Sequence, residues 1–527
     1  MMISSGIIYA VVIIGGFIGI FAVLDKLELI QKYGLELSGP FLMWRTEKGK
    51  RLIDRIAQKK KFWERYGNFA LIIVGICMII IFLLVAWSAY VATTIPASQA
   101  PSPEYILGIP GINPLIPIWY GILGLAIAII IHEFSHGILA RAADITVKSL
   151  GLIFLVVPMG AFVEPDEDEM DKLTPIKRDR IYAVGPTANI ILAIILVILF
   201  SSVMMGAVSA KDDGIVVNNI VNDSPMDDTD IKNGEQIISI GDTKINNFDD
   251  IHSLEYEPLQ EVDVSSKYDG KLKSTEVTAG LVILATSDGY PADNAGLKKG
   301  DIIYKMDDEL IHNYNDFNSF LDDATGGQSI TVNYKRDGQD LSNVTLTLKD
   351  KYESYKELNP NQNREEYKGK GYIGVSVSYM GFTGWDINML PELLSNPYKD
   401  ADSLGDYFTA SMTYIALPFQ GLSPVPEDIG SLYEINGPLS VMPNNVFWVV
   451  ANSLYWVFWL NLMVGLFNSL PAVPLDGGYI FNDGVIKFLD KFGVKKDTGE
   501  KIADKLTYAV ALFILFLIIW QLVGPRL

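Results

Sequence analysis

Long apolar runs alternate with polar segments along the chain, and this pattern indicates helices that cross a membrane. Six runs are long enough to span about 30 Å of hydrocarbon: approximately residues 6–24, 69–92, 118–140, 181–205, 447–470 and 506–523. The first run could instead be a signal peptide, but it lacks a basic start and is followed by a cationic segment rather than a small-residue cleavage site. We therefore predict a polytopic α-helical membrane protein with about six spans.

The basic residues of the short loops predict which side of the membrane each loop faces, because Lys and Arg concentrate in cytoplasmic loops. They are frequent between the first two runs, after the third run and after the fifth, whereas residues 93–117 contain neither. The alternation places both termini and the long segment 207–445 outside the cytoplasm. The third run then enters from outside and ends near the cytoplasmic surface.

Charge and cysteine content narrow the function. The formal net charge of −20 is concentrated in the long outer segment, for example at Asp227-Asp228 and Asp249-Asp250. An acidic, solvated segment argues against nucleic-acid binding, although acidity also simply favours solubility. The single cysteine, Cys77, lies in an apolar run, which excludes a disulfide framework and a thiolate zinc site.

The outer segment is predicted to form an α+β insert with an internal repeat. Within residues 214–348, two units each read as strand, short helix, glycine turn, strand and second helix. The second unit contains PADNAGLKKGDII at residues 291–303 and looks like a PDZ domain of the bacterial protease type; the first is a divergent copy. Such domains bind an extended peptide at a sheet edge or act as steric filters. We favour the filter because no basic carboxylate anchor stands out.

The motif HEFSH, residues 132–136, follows an almost unbroken apolar stretch, residues 118–131, inside the third run. His132 and His136 are spaced i and i+4, so a helix places both imidazoles on one face, with Glu133 beside them as a base. The preceding residues are apolar all round, which indicates a membrane-embedded helix. A charge at the bilayer centre costs about 2.5–3.5 kcal/mol, so we interpret the motif as a functional site.

A catalytic zinc site usually has three protein ligands and a water. The remaining histidines, His252 and His312, lie in the outer segment, on the wrong side of the membrane for this site. Asp476 is the strongest candidate third ligand, because it follows the fifth run, which crosses in the same direction as the third. The alternative is that Asp476 is only a turn residue before Gly477 and Gly478.

Three motifs in this order resemble the site-2 protease family of intramembrane zinc metalloproteases. HEFSHG matches the family's HExxH helix, residues 468–477 match N-x-x-P-x-x-x-L-D-G, and residues 185–189 look like its G-P-x-x-N element. The resemblance covers roughly residues 118–200 and 446–489, leaving the first two spans outside. It implies a Zn²⁺ cofactor held by His132, His136 and Asp476. It also implies Glu133 as the catalytic base and single-span membrane proteins as substrates.

Two asparagines and one apolar segment are further candidates for the functional site. Asn189 and Asn468 are candidate donors to the oxyanion, although Asn189 can equally satisfy backbone groups near a helix start. Residues 151–163 are β-branched and aromatic but too interrupted to span. We predict a re-entrant hairpin whose free edge captures an unwound substrate by strand addition, with a buried packing segment as the alternative.

These features divide the chain into six parts. Residues 1–115 hold two spans and a basic cytoplasmic loop, 116–207 the first half of the catalytic core, 208–280 and 281–350 the PDZ-like units, 351–445 an extracytoplasmic or interfacial linker, and 446–527 the second half of the core. The predicted function is intramembrane zinc metalloendopeptidase activity in the lipid bilayer of a prokaryotic cell membrane.

Two other classes of function remain open. A non-catalytic scaffold would use the PDZ-like units to hold partners and would not need Glu133 between the histidines. A zinc transporter or sensor would carry more intramembrane carboxylates or histidines along a path than this chain offers.

Overall fold

The computed structural model describes residues 5–47, 49–95, 100, 102–105, 108, 110–155, 157–268, 270–358, 364–399, 401–420, 425 and 427–526. Part of the predicted loop 93–117 and one position of the predicted hairpin, residue 156, lie outside these ranges. The described residues form two compact units. The first draws on residues 1–202, 411–424 and 449–527, and the second on 203–410 and 425–448.

The helices follow the apolar runs and add several short polar helices. In chain order they are α1 Ser5–Lys26, α2 Lys50–Ala57, α3 Lys60–Ala92, α4 Ile118–Ala142, α5 Glu167–Met170, α6 Pro175–Ile198, α7 Phe248–His252, α8 Pro291–Asn294, α9 Tyr314–Asp323, α10 Lys351–Leu358, α11 Met389–Ser395, α12 Leu404–Ala416, α13 Glu427–Ser431, α14 Asn444–Asn468, α15 Asp476–Lys491 and α16 Lys496–Val523.

Within the described ranges, five helical stretches are long and apolar enough to cross a membrane. They are Lys60–Ala92, Ile118–Ala142, Pro175–Ala207, Asn444–Asn468 and Lys496–Arg526. They contain the second, third, fourth and sixth predicted spans completely and the fifth except for its last two residues. Segment α1 is a helix, and its crossing of the membrane remains a prediction. The chain is therefore a membrane protein with an insert between its third and fourth such helices.

The helices of the first unit pack around small and β-branched residues. Val74 of α3, Ala140 of α4 and Ile181 of α6 belong to one buried cluster. Helices α4 and α14 approach so closely that a Cβ at Gly124 would lie 2.9 Å from the Trp456 carbonyl oxygen. Close approach of this kind lets helices associate in lipid, where no hydrophobic force drives them together.

A four-stranded antiparallel sheet accompanies the helices in the first unit. Its strands, in spatial order, are β1 Leu35–Ser38, β2 Phe41–Thr46, β3 Val147–Leu155 and β4 Val157–Pro165. Strands β3 and β4 form a hairpin where the sequence predicts one. The pairing of β2 with β3, which joins Leu42 to Phe154, was not predicted. Strand β4 lies at one edge, packed against α4.

The second unit contains two larger sheets, here called the insert sheets, in which corresponding strands of the two repeated segments occupy corresponding positions. The remaining strands are β5 Val208–Ala210, β6 Ile215–Ile220, β7 Gln236–Ile240, β8 Thr243–Lys244, β9 Glu261–Tyr268, β10 Lys271–Thr278, β11 Leu281–Thr286, β12 Ile302–Met306, β13 Glu309–Leu310, β14 Ser329–Lys335, β15 Ser342–Thr347, β16 Lys349–Asp350, β17 Gly371–Tyr372, β18 Val375–Tyr379, β19 Phe382–Asp386 and β20 Tyr433–Ile435. The first insert sheet has the order β10-β9-β7-β6-β19, and the second insert sheet has the order β15-β14-β12-β11-β18.

Two neighbouring strands complete both insert sheets. The sequence analysis assigns residues 351–445 to a linker, yet β18 pairs with β11 in the second insert sheet and β19 pairs with β6 in the first. Only Met380 and Gly381 separate these two strands, and both have positive φ. The first insert sheet is therefore closed by a strand that follows the whole of the second insert sheet in sequence.

Candidate metal centre

Helix α4 presents His132, Glu133 and His136 near its C-terminal end. His132 is buried, and the two imidazole rings lie 4.7 Å apart between centroids. The Nε2 atoms of His132 and His136 are 3.0 Å and 3.4 Å from the same carboxylate oxygen of Asp476, Oδ2. The structure thus brings together the three side chains that the sequence analysis selected as metal ligands.

Asp476 reaches this position because the chain folds back sharply between α14 and α15. A Cβ at Gly477 would lie 2.3 Å from the Ser469 carbonyl oxygen, and one at Gly478 would lie 2.5 Å from the backbone of Ala472. Only glycine allows such close contacts. Asp476 is the first residue of α15, and its carboxylate packs against the two imidazoles with 14% of the side chain exposed.

Helix α6 orients His136 from the other side. The Ile181 carbonyl oxygen lies 2.6 Å from His136 Nδ1, so Nδ1–H donates to it and Nε2 is left free to face Asp476. A Cβ at Gly185 would lie 2.4 Å from His136 Nε2 and 2.9 Å from His132 Cε1. The sequence analysis missed both roles, although Gly185 stands in the G-P-x-x-N element that it quoted.

The three donor atoms fit a zinc ion. They comprise two imidazole nitrogens and one carboxylate oxygen, all within 4.8 Å of one another, and this donor set is common in catalytic zinc sites. In a tetrahedral site with ligand bonds near 2.0 Å, neighbouring ligand atoms are about 3.3 Å apart, which agrees with the distances of 3.0 Å and 3.4 Å to Asp476 Oδ2. A neutral His136 would direct its Nε2 lone pair at a carboxylate, and a cation among these atoms removes that repulsion.

Glu133 faces the hairpin rather than the carboxylate of Asp476. Its Oε2 accepts a hydrogen bond from the backbone N–H of Val163 on β4, at 3.2 Å. The Val163 N–H is therefore directed at α4, while Leu150 of β3 is the residue opposite Val163 in the hairpin. The candidate base therefore lies at the free edge of the sheet, one residue from His132 in the chain.

The two candidate asparagines have different surroundings. Asn189 lies one helical turn after Gly185 and is fully buried, and neither atom of its amide has a hydrogen-bond partner among the described residues. The structure therefore does not support the alternative that Asn189 satisfies backbone groups of its helix. Asn468 Nδ2 donates to the Val464 carbonyl oxygen of its own helix at 3.0 Å.

The remaining histidines belong to the second unit. His312 Nδ1 lies 2.8 Å from Asp316 Oδ2, and the ring of His252 stacks on Tyr314 with centroids 4.6 Å apart. Burial lowers the pKa of His252, which keeps its ring neutral near pH 7. Each of these imidazoles has a local packing role.

Comparison with known proteins gives consistent similarities. The sequence profile of peptidase family M50 matches residues 120–517. An uncharacterized protein of Methanocaldococcus jannaschii is 29% identical over 485 residues, which are 91% of this chain and 85% of that protein. The zinc metalloprotease Rip1 of Mycobacterium bovis is 26% identical over 223 residues, 39% of this chain and 50% of that protein. The regulator of sigma-E protease RseP of Salmonella typhimurium is 22% identical over 427 residues, 68% of this chain and 88% of that protein.

Proposed function

Because the chain belongs to peptidase family M50, the site-2 protease family, we propose that it is an intramembrane zinc endopeptidase that cleaves transmembrane segments of single-span membrane proteins. The observation that carries this proposal is the convergence of His132, His136 and Asp476 in the unit that holds the apolar helices. Zinc is the cofactor that this donor set and the named metalloprotease relatives both support. The proposal places the enzyme in a prokaryotic cell membrane, with the insert sheets outside the cytoplasm.

The proposed roles follow from the chemistry of each group. His132, His136 and Asp476 would hold the metal, and a bound Zn²⁺ would supply Lewis acidity for peptide hydrolysis and lower the pKa of water towards 7. Glu133 accepts the proton of the attacking water and passes it to the leaving amine. Asn189 is the stronger candidate for an oxyanion donor, because its buried amide has no partner among the described residues.

The hairpin gives the substrate a place to unwind. A helical segment hides its carbonyl groups in hydrogen bonds to the residue four positions ahead, so it must become extended before attack. The free edge of β4 offers backbone groups at Val163, whose N–H already points at Glu133. Strand addition there would place an extended substrate beside the base.

Other classes of function explain less of this arrangement. A scaffold needs no carboxylate between two histidines. A zinc transporter needs several sites along a path, yet over the described ranges the structure contains one group of three or more His, Cys, Asp or Glu residues placed to hold a metal. The second unit is proposed to admit or exclude substrates and to take no part in the chemistry.

The proposal is tested with purified enzyme reconstituted in liposomes with single-span substrates, measuring cleavage and bound zinc together. Glu133→Gln is expected to keep zinc and to lose about 10²–10⁴-fold in cleavage rate, because the ligands survive and proton transfer does not. Asp476→Ala is expected to lose zinc as well as activity. Glu167→Gln is the matched control, since Glu167 is an exposed carboxylate on α5.

Three results would contradict the proposal or one of its assigned roles. Zinc-loaded wild-type enzyme that cleaves no transmembrane substrate would refute the activity. Cleavage by Glu133→Gln at the wild-type rate would refute the assigned base. Full zinc occupancy in Asp476→Ala would show that a residue other than Asp476 is the third ligand.

A further inference from the structure

Two rows of side chains cross one face of the four-stranded sheet and end at its free edge. Residues directly opposite each other in an antiparallel sheet point to the same face. The register gives one row of Thr46, Leu150 and Val163, and a second row of Trp44, Leu152 and Ala161. Both rows face α4, because Leu150 and Val163 share a buried cluster with Phe134 of that helix.

The side chains of the second row do not fill the space between the sheet and α4. A cavity of about 190 Å³ lies between this face and α4, where Ile130, Glu133 and Phe134 line its far wall. The row narrows from Trp44 through Leu152 to Ala161, so its smallest side chain stands at the free edge. The cavity is consequently adjacent to the position where a further strand would pair.

Gly151 and Phe162 also line the cavity, but their row, with Arg45, alternates with the other two and points to the face of the sheet opposite α4. A Cβ at Gly151 would lie 2.2 Å from the Phe162 ring, so the ring occupies the space that a side chain at position 151 would need. Arg45 lies over the outer side of this ring, at 5.2 Å from its centroid, and pairs with Glu164 at 2.6 Å. The part of the sheet beneath the cavity is therefore held in place by contacts on its opposite face.

We infer that this cavity is a specificity pocket for one large apolar side chain of the substrate, next to the bond that is cleaved. The inference rests on the proposed function. A substrate strand added to β4 continues the rows, so one of its side chains follows Trp44, Leu152 and Ala161 on the α4-facing side. That side chain enters a predominantly apolar cavity whose polar group nearest the chemistry is Glu133.

Part of this pocket comes from outside the region that defines the family. Trp44 and Thr46 lie on β2, whereas the family profile begins at residue 120. The size preference at this position is therefore set partly by residues outside the range that the family profile matches. Leucine or phenylalanine fits the space left by Ala161, whereas alanine leaves it unfilled.

The test is a set of single-span substrates in which each position near the cleaved bond is varied among Ala, Val, Leu, Phe and Trp. The wild-type enzyme is expected to prefer Leu or Phe over Ala at one position by at least about tenfold in kcat/KM. Ala161→Leu fills the pocket and is expected to remove that preference at the same position while the variant keeps zinc.

Trp44→Ala provides the opposite test, because it deepens the pocket and is expected to shift the preference towards Trp by about tenfold. Met43→Ala is the matched control, since Met43 neighbours Trp44 on β2 but points to the other face of the sheet. The preference of Met43→Ala should equal that of the wild type.

The outcomes separate the pocket from the activity. Zinc-loaded wild type that cleaves nothing refutes the proposed function. Wild type that cleaves without any size preference near the scissile bond overturns the pocket. A size preference in Ala161→Leu that equals the wild-type preference also overturns the pocket. If Ala161→Leu fails to fold with zinc, an unchanged size preference in Trp44→Ala overturns the pocket instead.

Discussion

The imidazole of His136 is oriented by a backbone atom, the Ile181 carbonyl oxygen, at 2.6 Å. A substitution of Ile181 leaves this carbonyl in place, so scanning side chains would not reveal the contact. Gly185, one turn further along α6, contributes by having no side chain against the ring nitrogen. At the scale of single residues, the metal centre depends on α6 in addition to its own ligands.

Gly185→Ala is expected to abolish zinc binding without changing any ligand. The new methyl group would lie 2.4 Å from His136 Nε2, so either the imidazole or α6 must move away from the metal position. Zinc stoichiometry of the purified variant measures this. Gly75→Ala on α3 is the control, because a Cβ there meets nothing within 4 Å. Full zinc occupancy in Gly185→Ala would show that α6 can shift to accommodate the methyl group. The close approach of α6 to His136 would then not be required for zinc binding.

At the scale of elements, α6 and α15 are joined by an ion pair and a ring stack. Arg178 donates to both carboxylate oxygens of Asp483, at 2.6 Å and 2.8 Å through one nitrogen, and Asp483 is buried. Tyr182 stacks on Tyr479 with centroids 4.8 Å apart and an angle of 17°. These contacts lie within two turns of Asp476, so they fix the helix that carries the third ligand.

Asp483→Asn is expected to weaken zinc binding about 10–100-fold, the usual effect of losing an outer contact that positions a ligand. The substitution removes the carboxylate that pairs with Arg178 and is expected to lower stability as well, because Asp483 is buried and Arg178 is largely so. Competition with a chelator measures the zinc affinity. Lys177→Gln, at an exposed neighbouring position on α6, should bind zinc as the wild type does. A wild-type zinc affinity in Asp483→Asn would show that the Arg178–Asp483 ion pair does not influence the metal centre.

The sequence predicted those elements whose signal is local. HEFSH fixes two ligands and a base by helical spacing, and the apolar runs anticipate α3, α4, α6, α14 and α16. The pairing of β2 with β3 was out of reach because Leu42 and Phe154 are far apart in sequence and β2 is short and lies in a segment read as a basic loop. The role of Ile181 was also out of reach, since any residue provides the same carbonyl.

At the scale of the whole molecule, the insert sheets end further along the chain than the sequence repeat does. The Ile387 backbone N–H donates to the Gly214 carbonyl oxygen at 3.1 Å, so the chain enters and leaves the insert sheets at neighbouring positions. The sequence repeat ends near residue 348, before β18 and β19. Removing the repeat alone would leave these two strands without partners.

Deleting residues 215–386 and joining the ends with a short glycine linker is expected to preserve zinc binding and cleavage of a short substrate without an outer domain. All candidate catalytic residues lie in the first unit. Substrates with bulky outer domains should be cleaved faster than by the wild type if the insert acts as a size filter. Zinc-loaded protein that cleaves nothing would mean that the insert delivers the substrate.

The matched comparison is deletion of residues 214–348, which leaves β18 and β19 in the chain with unpaired edges. Exposed strand edges promote association, so this variant is expected to yield less monodisperse protein than the deletion of 215–386. Size-exclusion chromatography in detergent measures the difference. Equal behaviour of the two variants would argue against the closing role of these strands.

The closing strands also set an order of events during synthesis. Strand β6 ends at Ile220 and its partner β19 begins at Phe382, so about 160 residues must be made before the first insert sheet can be completed. At about 5–20 residues per second, β6 waits roughly 10–30 s with an open edge, longer than most small domains need to fold. Since β18 emerges before β19, the sheet that is synthesised first is the last to close.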